Sequence, residues 1–190
     1  MPQLLNQPDR ETLLNIARNA LTRAVNHEKP EKLNLKEFSP ILQQKGASFV
    51  TLTIDGDLRG CIGTLEAWQP LAMDVQQRAV QAGLEDPRFP PVNKKELTRI
   101  VIEVSYLTQA QPLPYEEPNQ LPALLRPHVD GLILSDGMRK ATFLPQVWEQ
   151  LPNPEDFLSH LCAKMGGARS LWRQKVLQAS IYQVEDFKER

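Results

Sequence analysis

The stretch Leu58-Arg59-Gly60-Cys61-Ile62-Gly63-Thr64 sets one of only two cysteines between two glycines and two residues after an arginine. Glycine packs nothing inside a strand and marks a place where another backbone or a ligand comes close. The preceding Asp55-Gly56 is a hairpin turn signal between the apolar-rich run 49–54 and Leu58. If 58–64 returns as a strand, alternation puts Arg59 and Cys61 on one face. A guanidinium beside a thiol favours the thiolate, and Gly60 and Gly63 would leave room for a ligand at the backbone. The competing reading is a free cysteine chosen for its size, packed and inert in a glycine-kinked strand.

A cysteine nucleophile needs a base and an oxyanion donor. The chain has only three histidines, His27, His128 and His160, and none stands in a Cys-His signature. His27 falls at a charged helix end, and His160 sits among Phe157, Leu161 and Lys164 on a helix. His128 precedes a strand with Asp130 two residues on, which makes it the candidate site histidine or else a surface hinge. Asp86 and Arg88, in Asp86-Pro87-Arg88-Phe89, either form a loop clamped by Phe89 in the core or hold a polar ligand beside the cysteine strand. Glu103, inside an apolar run, either faces solvent or sits in a cleft. No HxxxH, CxxC or HExxH spacing occurs, so no metal is expected. Walker A, GxGxxG and Gly-x-Ser-x-Gly motifs are missing too, and no cofactor is implied.

The elements that must position these residues can be read along the chain. Asp9 predicts a helix start, with Leu13, Ala17, Ala20, Leu21 and Ala24 on one face and an end near Asn26-His27. A short helix over 36–44 follows, with Gly46 just beyond it. The hairpin 47–54/58–64 leads to a helix from Pro70, buried through Leu71, Val75, Ala79 and Ala82, with Gly83 at its end. Residues 86–91 read as a fixed non-helical loop, and 100–107 as a central β-branched strand. Five prolines fall within 109–127, yet Leu113, Tyr115, Leu121, Leu124 and Leu125 argue for an ordered crossing segment. Asp136-Gly137 predicts a second hairpin, 129–135/138–144. Asn153-Pro154-Glu155-Asp156 opens a helix that stops at Gly166-Gly167, and 176–184 reads as a closing strand. Strands arriving as hairpins, with no sustained βαβ rhythm, imply an α+β fold of largely antiparallel sheets with flanking helices.

The 190 residues suit a single domain of 1–190, or two interleaved subdomains, with no linker-joined second domain. Net charge is −1 and evenly spread: residues 1–95 hold 12 basic against 11 acidic side chains, the remainder 10 against 12. No basic run exceeds two residues, which disfavours nucleic acid as a partner. Pro2, Asn6, Pro8 and Asp9 stand where a signal peptide would need a basic start and an apolar core. With no membrane-length apolar stretch and two unpaired, distant cysteines, the expected location is cytoplasmic.

Leu58-Arg59-Gly60-Cys61-Ile62-Gly63 resembles the hallmark of the AMMECR domain family. Further family-like stretches follow in order: 86–89, Val129-Asp130-Gly131-Leu132, Phe143-Leu144-Pro145-Gln146-Val147-Trp148, and Leu161-Cys162-Ala163-Lys164-Met165-Gly166. The resemblance spans about residues 10–187 and matches the stand-alone bacterial or archaeal type. It implies a larger α/β part and a smaller subdomain around a shared cleft near the hexapeptide. It also implies action beside Memo-like and radical SAM proteins in a modification pathway, and it names no reaction. One reading is a ligand-binding or catalytic protein built on Arg59, Gly60, Cys61 and Gly63, with Asp86, Arg88, Glu103 and His128 in support. Cys61 is then a nucleophile or a covalent carrier. The other is a non-catalytic interaction module that docks a partner on the glycine strand, and RNA recognition ranks below both.

Overall fold

In the computed structural model, which describes residues 4–190, the chain forms two compact units. The first takes residues 4–108 and recruits 185–190 from the far end of the chain; the second takes 109–184.

In the first unit, helix α1 (Gln7–Val25) starts after Asn6, whose side chain accepts the Asp9 N–H at 2.8 Å. The cap is thus Asn6 and not Asp9. Asp9 is buried within the first turn, where it accepts the Ser39 hydroxyl at 2.6 Å. The expected helix over 36–44 is broken into a 3-10 turn, Leu35–Glu37, and the single turn α2 (Pro40–Gln43), which Pro40 opens at its first position. Gly46 lies inside strand β1 (Lys45–Ile54), where a Cβ would stand 2.8 Å from the Leu71 Cβ.

Strand β2 (Asp57–Gly63) pairs antiparallel with β1 as the turn chemistry predicts. Asp55 and Gly56 both have positive φ, 55° and 91°, as a type I′ turn requires. The register shifts between Leu52 and Thr53, leaving Arg59 with no Cα partner, so β2 bulges at the arginine. A short β3 (Gln69–Pro70) pairs with the start of β1 and leads into α3 (Leu71–Leu84). The helix runs one residue past Gly83, where a Cβ would lie 2.3 Å from Leu21 Cδ1, so the glycine leaves room for the Leu21 side chain of α1. Strand β4 (Ile100–Leu107) pairs antiparallel with the other edge of β1. Val50, Leu52, Ile102 and Val104 point to the helices and are fully buried with Leu71, Val75, Ala79 and Ala82. Each such large side chain contributes about 1.5–3 kcal/mol relative to exposure.

The second unit contains β5 (Gln111–Pro112), α4 (Leu121–Leu124), β6 (Gly131–Asp136), β7 (Arg139–Phe143), α5 (Pro154–Lys164), α6 (Leu171–Gln174) and β8 (Gln178–Tyr182), with sheet order β5-β8-β6-β7. The proline-rich segment is ordered: Leu121 and Leu125 are buried, and the Tyr115 hydroxyl donates to the Leu177 carbonyl at 2.8 Å. The second hairpin turns one residue later than expected, at Gly137-Met138, because Asp136 pairs opposite Arg139. Gly137, with φ 63°, takes the first turn position that a type II′ turn reserves for glycine. Asn153 caps α5 through the N–H groups of Glu155 and Asp156, and Gly166, with φ 83°, follows its end. The core stacks Trp148 on Phe157, with Leu132, Leu134, Leu158, Leu161 and Cys162 fully buried around them.

The expected closing strand 176–184 is divided. The ladder with β6 ends at Tyr182, and Val184–Lys188 forms β9 beside β4 in the first unit, giving the order β2-β1-β4-β9. Acidic residues fasten it there. Glu185 accepts the Leu5 N–H at 2.9 Å and pairs with Arg10, while Glu189 accepts the Ile102 N–H at 2.9 Å and pairs with Arg18. Among the described residues, no helix is long and apolar enough to cross a membrane.

Candidate functional site

Cys61 lies on β2, the edge strand of the first unit's sheet, and is half-buried. Cross-strand register puts it opposite Thr51, and Thr51 opposite Glu103, so the three form one row across β2, β1 and β4. The row faces away from α3, and its residues are all partly exposed. The Thr51 hydroxyl donates to the Cys61 sulfur at 3.3 Å.

The outward backbone of Cys61 is met by side chains instead of another strand. Asp86 Oδ2 accepts the Cys61 N–H at 2.9 Å, and Arg88 Nη2 donates to the Cys61 carbonyl at 3.1 Å. The two side chains also bind each other, Arg88 Nη2 to Asp86 Oδ2 at 2.7 Å and Nε to Oδ1 at 2.9 Å, and Oδ1 accepts the Arg88 N–H at 3.0 Å. The Pro87 turn makes this possible by folding Arg88 back over Asp86. The Asp86 side chain is 2% exposed while that of Arg88 is 53% exposed. Hydrogen bonding from Arg88 holds the Asp86 carboxyl well below the usual range against the opposing effect of burial, with the Cys61 and Arg88 N–H groups adding to the same end. The Arg88 guanidinium is raised, chiefly by its bond to Asp86 and less so by the neighbouring Cys61.

Arg59, expected beside the thiol, is engaged elsewhere. The bulge releases its side chain to a bidentate pair with Glu96, at 2.7 Å and 3.1 Å. Glu96 also accepts the Asn93 backbone N–H at 2.9 Å, and the Arg59 bond, then that N–H, lower its pKa against burial. The guanidinium bonded at Cys61 is therefore that of Arg88. Phe89 is half-buried between the two arginines, with Arg59 at 5.9 Å and Arg88 at 5.5 Å from the ring centroid.

The gaps at the glycines are filled from within the protein. A Cβ on Gly60 would meet the Ala82 carbonyl oxygen at 2.1 Å, so α3 rests directly on β2 there. A Cβ on Gly63 would meet the Phe49 ring at 2.2 Å, because that ring lies across Gly63 from the neighbouring strand. Both glycines serve close internal packing, and the room expected for a ligand over them is taken.

The fold gathers Cys61, Asp86, Arg88 and Glu103 in one unit, with Arg59 one residue beyond Gly60. His128 belongs to the other unit, exposed with φ 64°, in the turn before β6. Asp130 does not orient it: that carboxylate is buried and binds Arg126 at 2.6 Å and 3.0 Å. Thr51, Phe89 and Glu96 also belong to this cluster and are not among the candidates read from the sequence. Thr51 was findable from strand alternation, whereas nothing local marks Glu96 as the Arg59 partner. Among the described residues, no group of three His, Cys, Asp or Glu side chains is placed to hold a metal ion.

The chain matches the AMMECR1 family model over residues 14–187. A protein of Methanothermobacter thermautotrophicus is 40% identical over 164 residues, covering 85% of this chain and 84% of that protein. One of Methanosarcina barkeri is 35% identical over 193 residues, covering 98% and 93%. The crystal structure of an uncharacterised protein from Pyrococcus horikoshii is similar with a TM-score of 0.76 at 30% identity, over 98% of this chain and 94% of that one. Matched over nearly its whole length by the family model and by these relatives, the chain belongs to the AMMECR1 family.

Proposed function

We propose that this is a ligand-binding protein whose site is the Cys61 edge of β2, and that its ligand presents an anionic group to Arg88 beside the thiol. One observation carries the reading: Arg88 is locked by a buried carboxylate, donates to the backbone of Cys61 itself, and still leaves half its side chain in solvent. A cation fixed in advance binds an anion without first losing its own freedom. Thr51 and Glu103 supply polar contacts along the same row. Cys61 then contacts the bound molecule, and a catalytic or carrier role for its sulfur belongs to the same proposal. Cooperation with Memo-like and radical SAM proteins rests on family membership alone. A reducing, cytoplasmic setting accords with both cysteines being free.

The test compares anionic iodoacetate with neutral iodoacetamide at Cys61. The iodoacetate-to-iodoacetamide rate ratio should exceed that of N-acetylcysteinamide several-fold, fall to the reference ratio in Arg88→Gln, and survive in Arg88→Lys. A ratio equal to the reference in the parent protein overturns the anion site.

A further inference from the structure

The hydrogen-bonding parity of β2 extends the site beyond Cys61. The Thr64 N–H reaches inward to the Ser48 carbonyl at 3.0 Å, whereas the Cys61 N–H and C=O point outward to Asp86 and Arg88. In an antiparallel ladder these directions alternate, so Gly63, two residues on, also turns both groups to the free edge. The Asp86–Arg88 pair closes the edge at Cys61, but no described residue bonds the outward groups of Gly63. The chain then continues into a loop exposing Leu65 (42%) and Trp68 (69%). An open strand edge with apolar side chains next to it accepts an extended chain as an added strand.

Charge selects which end of that chain arrives. β2 runs toward Gly63, so an antiparallel neighbour runs from Gly63 toward Cys61 and brings its C-terminus to Arg88. The Asp86–Arg88 loop blocks further pairing, so the chain must end there. A parallel neighbour would instead press an ammonium against the guanidinium. We propose that β2 captures the C-terminal residues of a partner polypeptide, pairing backbone to backbone at Gly63, placing the terminal carboxylate on Arg88, and packing an apolar side chain against Leu65 and Trp68. This rests on the reading of Arg88 as an anion site and names the ligand class as a peptide C-terminus.

The experiment passes two pools of random N-acetylated pentapeptides over the immobilised full chain, one with free C-terminal carboxylates and one amidated. The free-acid pool should be retained about tenfold more, equivalent to about 1.4 kcal/mol. Retention should vanish in Arg88→Gln, return in Arg88→Lys, and drop several-fold in a Leu65→Ser/Trp68→Ala double variant whose iodoacetate preference is unchanged. Equal retention of the two pools overturns the proposal. So does undiminished retention by the double variant, which reduces the site to a small-anion site. An iodoacetate preference without peptide retention sinks this inference alone; loss of both sinks the anion reading as well.

Discussion

Asp86 meets the backbone N–H of Cys61 at 2.9 Å, in the position that a further strand's carbonyl would occupy. With Arg88 on the Cys61 carbonyl, two side chains substitute for a neighbouring strand at one residue of an exposed edge. Such a plug protects the sheet against unwanted pairing and fixes a cation beside the thiol.

Removing the Asp86 charge should test this substitution directly. Asp86→Asn is expected to lower stability by about 2–3 kcal/mol at neutral pH, since a buried acceptor of charged donors is lost. The folded carboxyl is held below its unfolded value, so its contribution is present above about pH 4 and lost as pH falls further. Denaturant melts of parent and variant should therefore converge at acidic pH. A gap that stays constant down to strong acid contradicts the pairing.

The two cysteines should react in a fixed order. Cys162 is fully buried, and burial pushes its thiol up against a weaker opposing bond from the Trp172 backbone. Cys61 is half-buried at a strand edge. Iodoacetamide on the folded protein should modify Cys61 well before Cys162, with Cys162 reacting only on unfolding, as peptide mapping would show. Equal protection of both would make Cys61 a packing residue.

Substitutions at neighbouring positions should part folding from function. Gly60→Val drives a side chain into the Ala82 carbonyl, 2.1 Å from the Cβ, and is expected to cost about 3 kcal/mol by overpacking. Cys61→Ser keeps the volume and the backbone bonds and should stay within about 1 kcal/mol of the parent. If Gly60→Val melts with the parent, α3 does not rest on β2 as described.

Alkaline titration reads both units, Tyr106 in the first and Tyr115 and Tyr182 in the second. Burial pushes the Tyr182 hydroxyl up to about 12, with its Thr142 bond acting in the other direction. Tyr106 and Tyr115 are raised by burial too. A raised folded value favours the native state below about pH 10 and loses that advantage as pH climbs toward 12. Phenolate absorbance should thus appear together with loss of circular dichroism, and phenolate formed near pH 10 in a fully folded protein would contradict the burial.

Much of the architecture was legible because its signals are local. Asp55-Gly56 turns a hairpin by the φ values those residues tolerate, Asn153-Pro154 opens α5 by capping, and 100–107 is a strand by its β-branched run. The hexapeptide pointed to the family the chain belongs to. What tertiary structure decided were relationships between segments far apart in the chain. Alternation alone would place Arg59 beside Cys61, but a bulge diverts it to Glu96, 37 positions away, and Arg88 arrives from 27 positions away. Gly60 and Gly63 read as open space until Ala82 and Phe49 filled it, since a missing side chain does not say which neighbour moves in. The run 176–184 reads as one strand, yet it divides at the end of β8 because Glu185 and Glu189 find Arg10 and Arg18 on α1. Local propensity sets which segments become helices and strands; the partners of each side chain come from packing, where residues distant in sequence compete for the same contact.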